Sequence, residues 1–149
     1  MILKELPTAD IRKLRHEVLW PHKDSFEDCV IEPDEIKTTF HMGAIENDTV
    51  VGTSTFLIDI NDRFETKSQY RLRAMATSPK VRGKQVGRQI IETSIKKLKN
   101  MNIDLLWCDA RLEATGFYEK LGFKMKGDIY HVPNIGPHKL MYFELKKTK

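Results

Sequence analysis

A chain of 149 residues with 40% hydrophobic and 31% charged content is sized and balanced for one globular domain, and these figures exclude collagenous, disulfide-scaffold and disordered classes. The formal net charge of +4 is spread along the sequence instead of being concentrated among aromatics, so nucleic acid is not an expected partner. No segment approaches the ~20 apolar residues that span a bilayer, and MILKELPTAD lacks the layout of a secretory signal, so the expected location is the cytoplasm with no membrane partner.

In chain order, Ile2 to Leu6 reads as a strand. Thr8 or Asp10 caps a helix through Ile11, Leu14, Val18 and Leu19, stopped by Trp20-Pro21. Residues 22–38 are polar and irregular, holding Cys29 and Pro33, and predict a loop with a short helix. Phe40 to Glu46 and Val50 to Ile60 then form a hairpin across Asn47-Asp48, a polar link between alternating apolar runs. Tyr70 to Thr77 follows as a strand, with Tyr70, Leu72, Ala74 and Ala76 on the core face and Arg71, Arg73, Met75 and Thr77 on the other.

Ser78-Pro79 ends that strand, and the segment PKVRGKQVGRQIIETSIKKL, Pro79 to Leu98, carries the strongest signal in the chain. Val86, Ile90, Ile91, Ile95 and Leu98 make one apolar stripe at helical spacing. A basic turn with Gly83 and Gly87 therefore opens straight into a helix. The first N–H groups of a helix lack partners and its dipole adds positive potential, while Arg82, Lys84 and Arg88 add mobile charge. Such a turn suits a pyrophosphate. Neither GxxxxGK[ST] nor GxGxxG occurs, so this is not one of the two best-known phosphate loops. Taken alone, the turn reads equally as a shaped loop with a solvated basic face.

Further on, Ile103 to Cys108 reads as a strand and Ala110 to Leu121 as a short helix ending at Gly122. Two last strands fall near Phe123 to Asp128 and Leu140 to Leu145. The lysines of the tail, Lys146, Lys147 and Lys149, favour solubility. Cys29 and Cys108 have no CxxC or Cys/His spacing, so no disulfide and no metal is expected. The pattern sums to an α/β (α+β) domain, a mixed sheet with helices on both faces.

Two segments carry a resemblance to a known family: Arg82-Gly83-Lys84-Gln85-Val86-Gly87 at the helix start, and Ala114-Thr115-Gly116-Phe117-Tyr118-Glu119-Lys120-Leu121-Gly122-Phe123 downstream. Their order and separation resemble the GNAT superfamily of acyl-CoA-dependent N-acyltransferases, whose signatures are [RQ]-x-x-G-x-[GA] and A-x-x-x-F-Y-x-x-x-G-F. The resemblance covers roughly residues 40–146 and points to a small, single-domain, bacterial-type member spanning 1–149. It implies a mostly antiparallel central sheet of about six or seven strands, with two parallel strands, Tyr70–Thr77 and Ile103–Cys108, splaying apart to admit CoA. It implies acetyl-CoA as acyl donor, its pyrophosphate on the backbone of Arg82, Gly83, Lys84, Gln85, Val86, Gly87 and Arg88, and its pantetheine beside the backbone of Met75, Ala76 and Thr77. The acceptor it implies is a small-molecule or peptide amine, and dimers are common in the family.

Gln85 departs from the family glycine. A residue already in helical dihedrals would keep its amide on the ligand, and that conformation is expected because the helical pattern begins at Val86. Arg111 stands where many members carry an Asn against the pantetheine. Tyr118 aligns with the tyrosine that protonates the CoA sulfur; a phenol of ordinary pKa ~10 keeps its proton at neutral pH. Read without the resemblance, Phe117 and Tyr118 are packing aromatics. Arg71 and Arg73 point to an acceptor bearing carboxylate or phosphate, or else to ion pairs with neighbouring strands. His138, in IGPHKLM before the final strand, shapes either the acceptor side or the turn. For a base, Glu46, Asp59, Glu65, Glu113, His41 and water all stay open. The competing class is a non-catalytic acyl-CoA-binding or sensing module.

Overall fold

A computed structural model describes residues 1–146; of the basic tail, Lys147 and Lys149 lie outside that range. The strands are β1 (Ile2–Leu6), β2 (Phe40–Glu46), β3 (Thr49–Ile58), β4 (Gln69–Thr77), β5 (Leu105–Arg111), β6 (Lys124–Val132) and β7 (Gly136–Glu144). The helices are α1 (Thr8–Val18), α2 (Val86–Asn100) and α3 (Thr115–Lys120). The strands form one seven-stranded, mostly antiparallel sheet in the hydrogen-bonded order β1-β2-β3-β4-β5-β7-β6. Two compact units divide the chain: Met1–Ile58 with Leu72–Lys96, and Asp59–Arg71 with the residues from Lys97 onward. No helix among the described residues is long and apolar enough to cross a membrane.

In the first unit the hairpin forms where the sequence places it. Asn47 and Asp48 take φ of 51° and 62°, the left-handed pair of a type I′ turn, which short polar side chains tolerate best after glycine. Register pairs His41 with Thr55 and Gly43 with Thr53 on one face, and Phe40 with Phe56 and Ala44 with Gly52 on the other. On the latter face Phe40 and Phe56 stack at 4.9 Å. A Cβ on Gly52 would lie 2.7 Å from Val86 and 2.8 Å from Ile90, so the missing side chain is what lets α2 seat against β3.

The other face is closed by α1 through a buried polar circuit. Arg15, fully enclosed, donates to both carboxylate oxygens of Asp34 at 2.6 and 2.8 Å, to the Cys29 carbonyl at 3.1 Å and to Thr55 Oγ1 at 2.7 Å. His41 lies between Thr55 Oγ1 (2.8 Å from Nδ1) and Thr8 Oγ1 (3.0 Å from Nε2), and Thr8 Oγ1 donates to the Asp34 carbonyl at 3.4 Å. With the Thr8 proton on that carbonyl, Nε2 must donate to Thr8, and the Thr55 hydroxyl must donate to Nδ1. The ring is neutral, and the one donor of this circuit left without an acceptor among the described residues is the Arg15 Nε–H. Thr8 is thus spent on the core: the cap position of α1 is Pro7, with no side-chain cap from Thr8 or Asp10.

Burial first, and then the nearby Arg15 charge, hold the His41 imidazole below its ordinary pKa of 6.5. The unfolded chain therefore takes up a proton that the folded chain refuses. Stability from this group is complete above pH 6.5 and is lost as pH falls through that value toward the lower folded pKa. Urea titrations between pH 7 and 5 should show this decline in wild type, and H41Q should flatten it.

In the second unit, Gln69–Arg71 pairs in parallel with Leu105–Trp107, while β5 runs antiparallel to β7 from Leu105↔Glu144 to Arg111↔His138. This ladder corrects three expectations. Strand β5 extends to Arg111 because Ala110 and Arg111 are paired with Lys139 and His138, so the expected helix over Ala110 to Leu121 shrinks to a 3₁₀ turn, Leu112–Ala114, and the short α3. Strand β7 begins at Gly136, whose φ of 122° completes the hairpin turn, so His138 lies on a strand and not in the turn before it. Strand β6 likewise runs on to Val132.

Alternation along β4 also ends early. Ala74 sits at φ 53° inside the strand, an irregularity of the kind that re-aims side chains, so the period-two grouping of Arg71, Arg73, Met75 and Thr77 does not carry past it.

Candidate active site

The loop before α2 is built of alternating backbone hands. Gly83 has φ 82° and Gln85 φ 58°, with Lys84 between them on the ordinary side. Alternation of this kind turns successive N–H groups toward one concavity. The Lys84 amide closes the turn on the Val81 carbonyl at 3.1 Å, and the first helical bond runs from the Gln89 amide to the Gln85 carbonyl at 3.1 Å. The amides of Gly83, Gln85, Val86, Gly87 and Arg88 donate to no backbone acceptor among the described residues. Residues 82–85 are exposed, and nothing lies within 4 Å of where a Gly83 Cβ would be. Lys84 reaches half-buried Glu46 at 3.5 Å and Arg88 reaches exposed Glu92 at 3.0 Å, pairs whose cations are exposed and which a phosphate can outcompete. Five donors, open space and three cations fit a diphosphate.

Gln85 is not helical, contrary to the expectation from sequence. Its left-handed φ is imposed because the turn must reverse between the Lys84 amide and the first helical carbonyl. A left-handed non-glycine costs roughly 1–2 kcal/mol, so Q85G is expected to raise stability by about 1 kcal/mol. Thermal unfolding checks this; an unchanged or lower midpoint would show that the Gln85 side chain compensates.

Met75, Ala76 and Thr77 close β4, with Ala76 buried and its neighbours half-buried. Arg73 is half-buried on the same strand, and its carbonyl accepts from Ser54 Oγ at 3.3 Å.

In the second unit, Tyr118 on α3 is 6% exposed, its ring edge-on to Phe117 at 5.1 Å and to Phe123 at 5.3 Å. Its hydroxyl has no hydrogen-bond partner among the described residues, yet it is not one of the wholly enclosed unpaired atoms, so the remaining exposure includes the oxygen. Burial, then the neighbouring Cys108, pushes the phenol well above its ordinary pKa. Tyr118 is protonated throughout the working pH range.

Phe143, next to Phe123 at 5.4 Å, marks the sheet face that α3 covers. The opposite face of the same strands carries a polar cluster. Arg71 donates to Asp59 at 3.1 Å and to Asp109 at 2.8 Å, its guanidinium 4.8 Å above the Trp107 ring. Asp109 also accepts from the Tyr130 hydroxyl, and burial together with that bond holds the Tyr130 phenol well above its ordinary pKa. The Arg71 charge is thus already matched by these two carboxylates. Tyr130 faces His138 across the β6–β7 ladder at 6.1 Å between ring centroids. His138 is 6% exposed and its Nδ1 lies 2.9 Å from the Gly136 carbonyl.

Nothing in the sequence singles out Asp109 or Tyr130; Asp109 lies just past the expected strand Ile103 to Cys108 and Tyr130 just past Phe123 to Asp128.

Residues 6–123 match the Acetyltransferase (GNAT) family. Over 147 residues, the chain is 32% identical to the uncharacterized N-acetyltransferase YitI of Bacillus subtilis, covering 99% of this chain and 98% of that one. The fold matches an aminoglycoside 6'-N-acetyltransferase complexed with coenzyme A, with a TM-score of 0.81 and 16% identity over 100% of this chain and 99% of that one. It also matches the ribosomal-protein-S18-alanine N-acetyltransferase from Escherichia coli, with a TM-score of 0.76 and 16% identity over 99% and 96% of the two chains. The loop, the sheet order and these matches define an acyltransferase enzyme. The chain belongs to the GNAT family of acetyltransferases.

Proposed function

We propose that residues 1–149 act as one N-acetyltransferase domain that moves the acetyl group of acetyl-CoA directly to a primary amine of a small molecule or peptide. The observation that carries this reading is the set of five unpartnered amides, Gly83 and Gln85 to Arg88, at the start of a helix. They are suited to the CoA diphosphate, with Arg82, Lys84 and Arg88 neutralising its charge. The backbone of Met75, Ala76 and Thr77 then serves the pantetheine amides and the thioester oxygen.

Direct attack is favoured over an acyl-cysteine route because both cysteines are enclosed, Cys29 at 0% and Cys108 at 2% exposure. Burial pushes both thiols upward in pKa, so neither supplies a thiolate nucleophile near neutrality. The amine nitrogen attacks the thioester carbon, and the sulfur leaves with the C–S pair and takes the proton of Tyr118. Tyr118 regains its proton from solvent.

The test is thiol release from acetyl-CoA against an aminoglycoside and an alanine-initiated peptide, the acceptor types of the two structural relatives, together with simple alkylamines. Calorimetry with CoA runs beside it. Amine-dependent release at one thiol per amide supports the transfer. Binding of CoA without release by any amine would sink the transfer and leave a non-catalytic acyl-CoA-binding module, the reading that the left-handed Gln85 keeps in play.

A further inference from the structure

We propose that Ser54 is a positioning residue for the acetyl transfer, holding the kink at Ala74 that sets the heading of the Met75, Ala76 and Thr77 backbone. The assignment rests on the reading above that this backbone serves the thioester. Every residue it uses lies in the first compact unit, together with the loop before α2.

Packing alone does not choose a serine at position 54. The residue lies on the β3 face that carries Phe56 and Gly52, where α2 seats, and it has no exposure. A hydroxyl without a partner in such a place is costly, so it has to be bonded. It donates to the Arg73 carbonyl at 3.3 Å, on the neighbouring strand β4, and has no other acceptor among the described residues.

That carbonyl belongs to the peptide unit that enters Ala74. The unit is trans and planar, so its C=O and N–H point in opposite directions, and fixing the carbonyl toward Ser54 fixes the Ala74 N–H away from it. The next rotation along the chain is the φ of Ala74, 53°, a left-handed value that a residue with a Cβ keeps only where its surroundings over-determine it. The parallel ladder with β5 ends at Arg71↔Trp107, short of Ala74, and does not set this hand. The bond from Ser54 acts on the plane that turns into it.

A second anchor closes the segment. The Ser78 amide donates to the Val51 carbonyl of β3 at 2.8 Å. Between the two anchors β3 advances from Val51 to Ser54 while β4 runs from Arg73 to Ser78, a longer path whose surplus the kink at Ala74 takes up. Met75, Ala76 and Thr77 are therefore held at both ends. As the thioester oxygen gains charge during attack, a main-chain donor stabilises it only if its direction is fixed beforehand.

S54A removes the hydroxyl with little change in volume. With the amine that wild type turns over best, kcat should fall about tenfold while the Kd for CoA stays within about twofold. A merely loosened fold would weaken both alike. In S54A/A74G, glycine adopts the left-handed conformation without the steric cost, so at least about threefold of the loss should return. Infrared spectra of bound acetyl-CoA carrying 13C in its carbonyl, taken without amine, give a readout independent of turnover: the stretch should lie below its solution value in wild type and move back toward it in S54A. If S54A does not fold, S54C, close in volume and with only a weak S–H donor, should show the same split of kcat from Kd with a smaller loss. A parallel loss of kcat and CoA affinity, a double variant no faster than S54A, or a carbonyl stretch that S54A leaves unmoved would overturn the assignment. Wild type that binds CoA and transfers to no amine would sink the transfer reading. An active wild type matched in kcat by the Ser54 variant would sink this inference alone.

Discussion

Replacing Tyr118 with phenylalanine is expected to lower turnover by about 100-fold or more while the Kd for CoA stays within about twofold. The hydroxyl is the only group removed, and it makes no hydrogen bond to the protein among the described residues. Ring contacts to Phe117 and Phe123 survive in Y118F. Stability should therefore change by less than about 1 kcal/mol, because no buried partner is left unpaired. A phenol pushed up by burial is a weak acid, and its proton moves to sulfur only if the thiolate is correspondingly basic. Burial also drives the Cys108 thiol beside Tyr118 upward, and under the proposed mechanism a CoA thiolate leaving into such surroundings would be shifted in the same direction. It follows that wild type should show no alkaline loss of rate from Tyr118 below about pH 10. Steady-state thiol release and calorimetry decide the matter; an unchanged rate in Y118F removes the residue from the chemistry.

Features fixed by short stretches of chain were legible in the sequence. Asn47-Asp48 selects a left-handed turn by its own side chains, and the α2 stripe from Val86 to Leu98 selects its own buried face. The position of Tyr118 came from a spacing shared with a family. What escaped the reading was set by distant partners. Whether Ala110 and Arg111 are strand or helix depends on Lys139 and His138, almost thirty residues away, and no local propensity carries that information. Moving His138 from turn to strand changes its neighbours, because the ladder brings it beside Tyr130. Gln85 failed for a related reason: its hand is set by how the turn must close on both sides, and a glutamine gives no warning of it.

Arg15 was the largest omission, and it carries the other large effect. At its helical position it falls among Ile11, Leu14 and Val18, where an apolar residue is the ordinary occupant, and its anion lies nineteen residues on in an irregular segment. Asp34→Ala is expected to destabilise the fold by about 3–5 kcal/mol, because a guanidinium with no exposure loses its only counter-charge among the described residues. The double variant R15M/D34A should recover most of that loss, since the cost belongs to the stranded charge and not to the absence of the pair. Urea midpoints for the two variants separate the cases: if the double variant is as unstable as D34A, the circuit holds α1 by geometry instead of charge. Acid gives an independent check on the same pair. Burial pushes the Asp34 carboxyl upward, but the Arg15 bonds and the Ile31 amide at 2.9 Å outweigh it and hold the group below its ordinary 3.8. Its contribution is complete above that value and is lost only as pH falls through the lower folded one. Acidification should therefore act in two stages, His41 first below pH 6.5 and Asp34 later, and H41Q should erase the first stage and let the second begin at somewhat higher pH, because the His41 charge helps hold Asp34 down.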